Sequence, residues 1–216
     1  AASQNEAHMP IRFGTDGWRA IIAEDYTFRN VRLCAQGTSK MIKRQGAGSK
    51  GLVVGYDTRF GSEDFAAAVA EVSAANGIKT LLANRPAPTP VLSHSVVSRG
   101  AVGGVVITAS HNPPQWNGFK FKPDYGGSAS PEVVEELEKH IARAEASGRI
   151  ERMPLAEAQA KGLVEYFDPR PSYLKHLATQ VDLDGIRRAG LRVTVDSMFG
   201  AGAGYLATLL DGGSTT

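Results

Sequence analysis

Apolar residues recur along the chain with two different spacings, and their alternation predicts an α/β fold. Uninterrupted apolar runs rich in β-branched residues are typical of strands buried on both faces of a sheet. Such runs occur at 52–56 and 102–108, and the segment Ile78-Lys-Thr-Leu-Leu82 is also predicted to be a strand. Before the first run and between the first two strands, apolar residues spaced three and four apart predict amphipathic helices from Asp25 to about Arg44 and from Ser62 to the Asn76-Gly77 pair. A strand, a helix and a strand in this order form a βαβ unit.

Turn-forming and capping residues place the boundaries of the other elements. Ser62, Thr89 and Ser130 each precede a helical pattern with acidic residues or proline at its start, which predicts that they act as N-caps. The dipeptide Asn117-Gly118 is a strong signal for a tight hairpin turn. After it, Phe119-Lys-Phe-Lys122 alternates apolar and charged residues, as a strand does.

This order of elements predicts an α/β/α three-layer sandwich with a mixed, mostly parallel sheet over residues 10–168. The sequence Asp168-Pro-Arg-Pro171 is typical of an interdomain connection. A strand at Leu191–Val195 and a following helix start predict an incomplete second domain of the same class over residues 169–216. One such unit is too small to bury a core alone, so we expect the chain to be part of a longer protein. Residues 1–9 are assigned to a tag or linker.

Composition excludes several classes of partner. The 24 basic and 22 acidic side chains give a net charge of +2 and are scattered, which argues against a nucleic-acid surface. No apolar run approaches the roughly 18 residues of a membrane span, so we expect no membrane partner. The single cysteine, Cys34, lies in a helical pattern and is interpreted as a buried structural thiol. A chain without disulfides fits a reducing compartment, and we expect a cytoplasmic location.

The most distinctive chemistry follows the apolar strand Ala101–Thr108, which runs into Ala109-Ser-His-Asn-Pro-Pro114. Open α/β sheets place their ligands at the carboxyl ends of strands, where Ser110 and His111 fall. The two prolines prevent the chain from continuing directly as strand or helix, so these residues are predicted to lie on a stiff exposed loop. A hydroxyl beside an imidazole is a candidate nucleophile.

The residues alone leave three interpretations of Ser110 open. A serine hydrolase is disfavoured because the Gly-x-Ser-x-Gly pattern is absent and an adjacent histidine is badly placed as the base. A phosphoserine would carry about −1.5 to −2 charges and would need nearby cations. His111, Lys120, Lys122, Arg19 and Arg59 could supply them, although a solvated lysine is the plainer interpretation of Lys120. An ordinary loop serine is an equally good interpretation.

Three motifs add to this interpretation by their resemblance to a known family. Thr108-Ala-Ser-His-Asn-Pro113, followed by Asn117-Gly-Phe-Lys120, resembles the active-serine signature of the α-D-phosphohexomutases. Phe13-Gly-Thr-Asp-Gly-Trp-Arg19 and Gly55-Tyr-Asp-Thr-Arg59 resemble two further motifs of that family, in the same order. The resemblance extends from Ile11 to Leu210 and is closer to the phosphoglucomutase/phosphomannomutase branch than to phosphoglucosamine mutases.

The resemblance implies a mechanism in which Ser110 carries the phosphoryl group. Hexose 1-phosphate and hexose 6-phosphate would interconvert through the phosphoserine and a bisphosphate intermediate, chemistry that depends mainly on positioning and charge neutralisation. By similarity, Lys120 is the candidate general acid/base and His111 orients the hydroxyl or phosphoryl group. Arg19, Thr15 and Arg59 are the candidate substrate- and phosphate-binding residues.

The resemblance also implies a cofactor and partners. A Mg²⁺ ion would be bound partly by Ser110, with its remaining ligands in the missing part of the second domain, and hexose 1,6-bisphosphate would act as activator. The expected partners are a hexose phosphate and the other domains of the full-length chain. We expect the 216 residues alone not to turn over substrate. A non-catalytic sugar-phosphate-binding module is the alternative function, and a serine hydrolase is a weaker one.

Overall fold

A six-stranded mixed sheet forms the centre of the computed structural model, which describes residues 11–14 and 17–216. Residues 1–9, predicted to be a tag or linker, lie outside the described residues. The strands are β1 (Trp18–Ile21), β2 (Leu52–Tyr56), β3 (Thr80–Ala83), β4 (Gly103–Ile107), β5 (Trp116–Pro123) and β6 (Val164–Phe167). Their spatial order is β1-β5-β4-β2-β3-β6. The strand β5 runs antiparallel to both of its neighbours, while the pairs β4–β2, β2–β3 and β3–β6 are parallel.

Eight α-helices accompany the sheet in the described part of the chain. They are α1 (Phe28–Arg44), α2 (Ser62–Ala75), α3 (Thr89–Ser98), α4 (Pro131–Ser147), α5 (Leu155–Ala160), α6 (Arg170–Gln180), α7 (Leu183–Arg188) and α8 (Tyr205–Leu210). Helix α1 packs against α2 and α4, whereas α3 packs against β2, β4 and α6. None of the described helices is both long and apolar enough to span a bilayer. The predicted α/β class with a mixed, mostly parallel sheet is confirmed.

The core lies where the hydrophobic pattern predicts it. Strands β2 and β4 are buried along their whole length, as expected of continuous apolar runs with neighbours on both faces. On α1 the predicted face, including Val31, Met41 and Ile42, is fully buried. Cys34 is a free, buried thiol on the same helix, and burial raises its pKa well above the usual value. Its predicted structural role is therefore supported by its position.

The predicted caps differ from the observed ones. Ser62 is the first residue of α2 rather than its cap, and its Oγ donates a hydrogen bond to Asp57 Oδ1 at 2.8 Å. Thr89 likewise lies inside α3, which begins directly after Pro88. Ser130 does occupy the N-cap position of α4, but its side chain makes no capping hydrogen bond. The Ser62 hydroxyl thus contacts the segment after β2 instead of capping its own helix, which a local pattern does not reveal.

The predicted hairpin turn at Asn117-Gly118 is wrong. Both residues lie within β5, opposite Ala20 and Arg19 of β1, and the chain reverses direction at 108–115 instead. The glycine is needed for close approach rather than for a turn, because a methyl group on Gly118 would lie 2.5 Å from the carbonyl oxygen of Thr108. A tertiary constraint has therefore overridden a strong local signal.

Residues 170–216 contribute little to the core. Tyr205 and Thr215 are their buried members, and the predicted strand at 191–195 does not form a regular strand. Its backbone bonds join Val193 N to Thr216 O and Thr216 N to Leu191 O, at 2.7 and 2.9 Å. A strand needs a neighbour along its length, and here it meets a single residue. The predicted domain division near 168 stays a prediction.

The α1–α4 contact depends on the absence of a side chain at Gly37. A methyl group there would lie 2.8 Å from the backbone nitrogen of Ile141 on α4. We expect Gly37→Ala to lower the free energy of unfolding by about 1–3 kcal/mol, because forced helix separation outweighs the gain of about 1 kcal/mol in helix propensity. Denaturant unfolding measures this change. Gly48→Ala is the control, since its methyl group would come no closer than 4.0 Å to Ile78; equal stability of both variants would contradict the packing argument.

The contact between α3 and α6 predicts acid sensitivity. The imidazole of His94 stacks on that of His176, with ring centroids 4.8 Å apart, and meets the edge of Tyr173. Partial burial, followed by the neighbouring His176, lowers the pKa of His94. The unfolded chain therefore binds this proton more readily, so stability present above about pH 6.5 should fall as pH drops below that value. Unfolding curves from pH 7.5 to 5 should show a weaker loss in His94→Gln than in the parent chain; parallel losses would refute the prediction.

Candidate active site around Ser110

The loop that carries Ser110 joins β4 to β5 at the carboxyl edge of the parallel strands. Residue Tyr56 at the end of β2 pairs with Ile107 at the end of β4, so the segments that follow both strands leave the sheet side by side. This edge is where open α/β sheets place ligands. Ser110 and His111 are exposed, as the sequence predicts.

The backbone of Ser110 adopts an unusual conformation. Its φ angle is 56°, in the left-handed region that residues other than glycine seldom occupy. Two hydrogen bonds hold the turn: Ser110 N donates to Thr108 Oγ1, and Asn112 N donates to the carbonyl of Ala109, both at 3.0 Å. Conformations of this kind are concentrated at functional sites, where surrounding contacts must maintain them.

The imidazole of His111 lies beside the serine hydroxyl. Ser110 Oγ is 3.4 Å from His111 Nδ1, at the long end of the hydrogen-bonding range. No carboxylate among the described residues hydrogen-bonds to the ring, so they do not supply the acid that orients the base in a hydrolytic triad. The arrangement therefore does not favour a serine hydrolase.

Arg19 connects β1 to the same loop. It lies opposite Gly118 in the β1–β5 register, and its Nη1 donates to Asn112 Oδ1 at 2.7 Å. The contact places a permanent positive charge two residues from the serine. The predicted contact between Arg19 and a phosphate stays a prediction, and its position close to the loop is compatible with it.

Arg59 makes the most extensive contacts with the loop. Its Nη2 donates to the carbonyl oxygens of Ser110 and Asn112, and its Nη1 to those of Pro113 and Trp116, at 2.6–3.0 Å. The predicted phosphate contact from Arg59 stays a prediction, and these bonds engage the guanidinium with the loop backbone.

A buried polar network beneath the loop was not predicted. Asp57 Oδ1 accepts from Arg59 N and from Ser62 Oγ, and Asn117 Nδ2 donates to the same serine oxygen at 2.9 Å. Asn117 Oδ1 also accepts from Gly118 N. The network joins the end of β2, the start of α2 and the start of β5. The position of Asp57 directly after a parallel strand was the only sequence signal for this network.

The two lysines of β5 are buried. Lys120 is 4 % exposed and pairs with Val106, and Lys122 is 5 % exposed and pairs with Gly104. The interpretation of Lys120 as a solvated strand lysine is therefore wrong. Its role as general acid/base stays a prediction. Thr15, the other candidate phosphate-binding residue, lies outside the described residues.

The residues around Ser110 do not by themselves form a magnesium site. No group of three acidic, histidine or cysteine side chains in the described part of the chain could hold a metal ion. Ser110 offers one oxygen, whereas Mg²⁺ prefers octahedral oxygen coordination that includes carboxylates. The residues present therefore do not fit a complete site, and the predicted Mg²⁺ ion stays a prediction.

Comparisons with known proteins agree with this architecture. Residues 10–148 match the family model for phosphoglucomutase/phosphomannomutase, alpha/beta/alpha domain I. The chain is 30 % identical to a phosphoglucomutase of Komagataeibacter xylinus, covering 95 % of this chain and 39 % of that protein. It is 32 % identical to a phosphoglucosamine mutase of Carboxydothermus hydrogenoformans, covering 90 % of this chain and 42 % of the relative.

A solved structure also resembles this chain in both fold and sequence. A crystal structure of a protein assigned as a phosphomannomutase, from Thermus thermophilus, superimposes with a TM-score of 0.79 at 38 % identity. The match covers 94 % of this chain and 43 % of the other, so the chain spans about two fifths of the length of these relatives. Residues 10–148 include strands β1 to β5, the loop of Ser110 and the motifs at Arg19 and Arg59. This chain therefore belongs to the phosphoglucomutase/phosphomannomutase family of α-D-phosphohexomutases.

Proposed function

We propose that Ser110 is the phosphoryl carrier of a mutase that interconverts hexose 1-phosphate and hexose 6-phosphate. The observation that carries the proposal is the exposed hydroxyl of Ser110, presented at a left-handed φ of 56° beside His111 and the Arg19–Asn112 pair. A phosphoserine needs nearby cations, and Arg19 supplies one through its contact with Asn112. The loop is exposed at the edge where open α/β sheets bind ligands. The family of the chain supports the same chemistry.

The proposed reaction begins with transfer between Ser110 and a sugar. A hexose 1,6-bisphosphate donates one phosphoryl group: the phosphorus–oxygen bond to the sugar breaks as a bond from phosphorus to Ser110 Oγ forms. The serine proton passes, through an acid/base side chain, to the sugar oxygen that leaves, and a hexose monophosphate results. The phosphoserine then passes its phosphoryl group to the free hydroxyl of a hexose 1-phosphate, so that the bond from phosphorus to Ser110 Oγ breaks as the bond to the sugar oxygen forms and a proton returns to Oγ. The hexose 1,6-bisphosphate so formed turns over in the site and gives its other phosphoryl group back to Ser110, which releases hexose 6-phosphate. Such transfer depends mainly on in-line positioning and charge stabilisation.

The surrounding residues have defined parts in the proposal. Lys120 is the candidate acid/base, and its burial in β5 supports a role other than solvation. Arg19 is placed to neutralise charge on the phosphoserine, since a guanidinium fork suits phosphate oxygens. His111 orients the serine oxygen, and Thr15 is proposed as a further phosphate contact. Any Mg²⁺ ion would need carboxylates from elsewhere in a longer protein.

The chain alone is proposed to carry out only the first half of this cycle. Its relatives are more than twice as long, and isomerisation requires recognition of the second phosphate while the intermediate turns over in the site. We therefore propose that substrate recognition involves further domains. The proposed substrate class is a hexose phosphate.

The phosphoryl-carrier role predicts a covalent product. The purified chain, incubated with glucose 1,6-bisphosphate and Mg²⁺, should gain about 80 Da, the mass of one phosphoryl group, as modifications of this kind do. Peptide mass spectrometry should place the added mass on Ser110. Ser110→Ala should gain nothing, while Ser128→Ala, which alters a serine outside this loop, should behave as the parent chain does.

Other outcomes would contradict the proposal in distinct ways. Saturable binding of the bisphosphate without any mass gain would favour a sugar-phosphate-binding module. Labelling of Ser110 by a fluorophosphonate, with no phosphoryl gain, would favour a hydrolase.

The same reasoning predicts no complete turnover by this chain. With Mg²⁺ and a trace of glucose 1,6-bisphosphate, the 216 residues should not convert glucose 1-phosphate to glucose 6-phosphate in a coupled dehydrogenase assay. A full-length relative serves as the positive control. Sustained conversion by the chain, abolished in Ser110→Ala, would show that these residues are sufficient for turnover. It would refute the proposal that turnover needs further domains.

A further inference from the structure

Both terminal nitrogens of the Arg59 guanidinium are engaged in hydrogen bonds. Arginine carries five N–H groups in a planar fork. The two terminal nitrogens of Arg59 donate to three backbone carbonyls of the loop between β4 and β5 and to that of Trp116, the first residue of β5. Its Nε lies 3.4 Å from Asp57 Oδ2. The side chain is 14 % exposed. The terminal nitrogens of Arg59 can therefore bind a phosphate only if a contact with these carbonyls is broken, and Nε faces the Asp57 carboxylate.

The backbone of Arg59 is itself held in place by hydrogen bonds. Its backbone N–H donates to Asp57 Oδ1, which also accepts from Ser62 Oγ. Asp57 N in turn donates to the carbonyl of Ile107, the last residue of β4. The arginine thus extends from a rigid sheet edge rather than from a free loop, so it can impose a position on the residues it contacts.

The loop needs such a contact for electrostatic and conformational reasons. Four carbonyl oxygens that converge on one point repel one another unless a cation lies between them. In addition, the left-handed backbone of Ser110 costs on the order of 1–3 kcal/mol and persists only where its surroundings fix it. A lysine ammonium has three donors on one atom and cannot reproduce the planar fork.

We propose that Arg59 is a positioning residue that holds the backbone of the Ser110 loop, and not a ligand of the phosphoryl group. Its hydrogen bonds to the carbonyls of Ser110 and Asn112 fix the segment that presents the hydroxyl and the asparagine bound by Arg19. The consequence for phosphoryl transfer rests on the proposed function of Ser110. The consequence for loop order does not depend on it.

The first test measures loop order in Arg59→Ala and Arg59→Lys. The amide protons of Ser110, Asn112 and Trp116 are hydrogen-bonded within the loop, so their hydrogen exchange can be followed by NMR. We expect faster exchange of these amides in both variants, with less effect in the core strands β2 and β4. Unchanged protection of the three amides would overturn the proposal, whether or not the chain has mutase chemistry.

The second test uses chemical rescue of the phosphoryl transfer. We expect Arg59→Ala to slow the phosphorylation of Ser110 by glucose 1,6-bisphosphate about 100-fold, the order of loss that small misplacement of a reacting group produces. Millimolar guanidinium, far below the molar concentrations that unfold proteins, should restore part of the rate and of the amide protection. Urea, which is similar in shape but uncharged, should restore neither. A merely structural loss would not respond to guanidinium.

A matched control separates loop contact from loss of a positive charge. Arg12 pairs with Glu138 at 3.6 Å and is largely exposed, so Arg12→Ala removes the same group without touching the loop. In this variant the loop amides should exchange, and Ser110 should be phosphorylated, at the rates seen in the parent chain. If Arg59→Ala keeps the loop amides protected but weakens the binding of inorganic phosphate, Arg59 is a phosphate ligand and the positioning proposal is wrong. If the parent chain is never phosphorylated, the proposed function fails, and the exchange experiment still decides the role of Arg59.

Discussion

The parallel pairing of β2 with β4 is the interaction on which the rest of the site depends. Because the two strands end together, at Tyr56 and Ile107, the segments that follow them leave the sheet as neighbours. Arg59 can therefore reach the backbone of the Ser110 loop with a single side chain. Both strands are fully buried, so this relative position is set by the core and not by the loops themselves.

Much of the fold could be predicted from the sequence because its core obeys simple periodicities. Continuous apolar runs located β2 and β4, and the three-and-four spacing located the buried face of α1. The Ser110 loop was found because the reactive residues follow such a run directly. These features depend on local pattern and burial, which the chain encodes within short segments.

Other features could not be predicted because they arise between distant segments. Asn117-Gly118 has the composition of a turn, yet Gly118 is required where β5 passes close to Thr108, and Asn117 bonds to Ser62 on another element. The segment 191–195 has the composition of a strand but lacks a neighbour along its length. Propensity describes what a segment can form, whereas pairing and close approach decide what it does form.

The hydrogen bonds from Arg59 also bear on how the loop can vary in evolution. All four acceptors are main-chain oxygens, which every residue type provides. The hydrogen bonds from the guanidinium therefore do not depend on which side chains lie between Ser110 and β5. Substitutions at Pro114 or Gln115 would leave these acceptors in place as long as the backbone path is kept. Relatives could therefore vary the side chains of this loop while the Ser110 hydroxyl keeps its orientation.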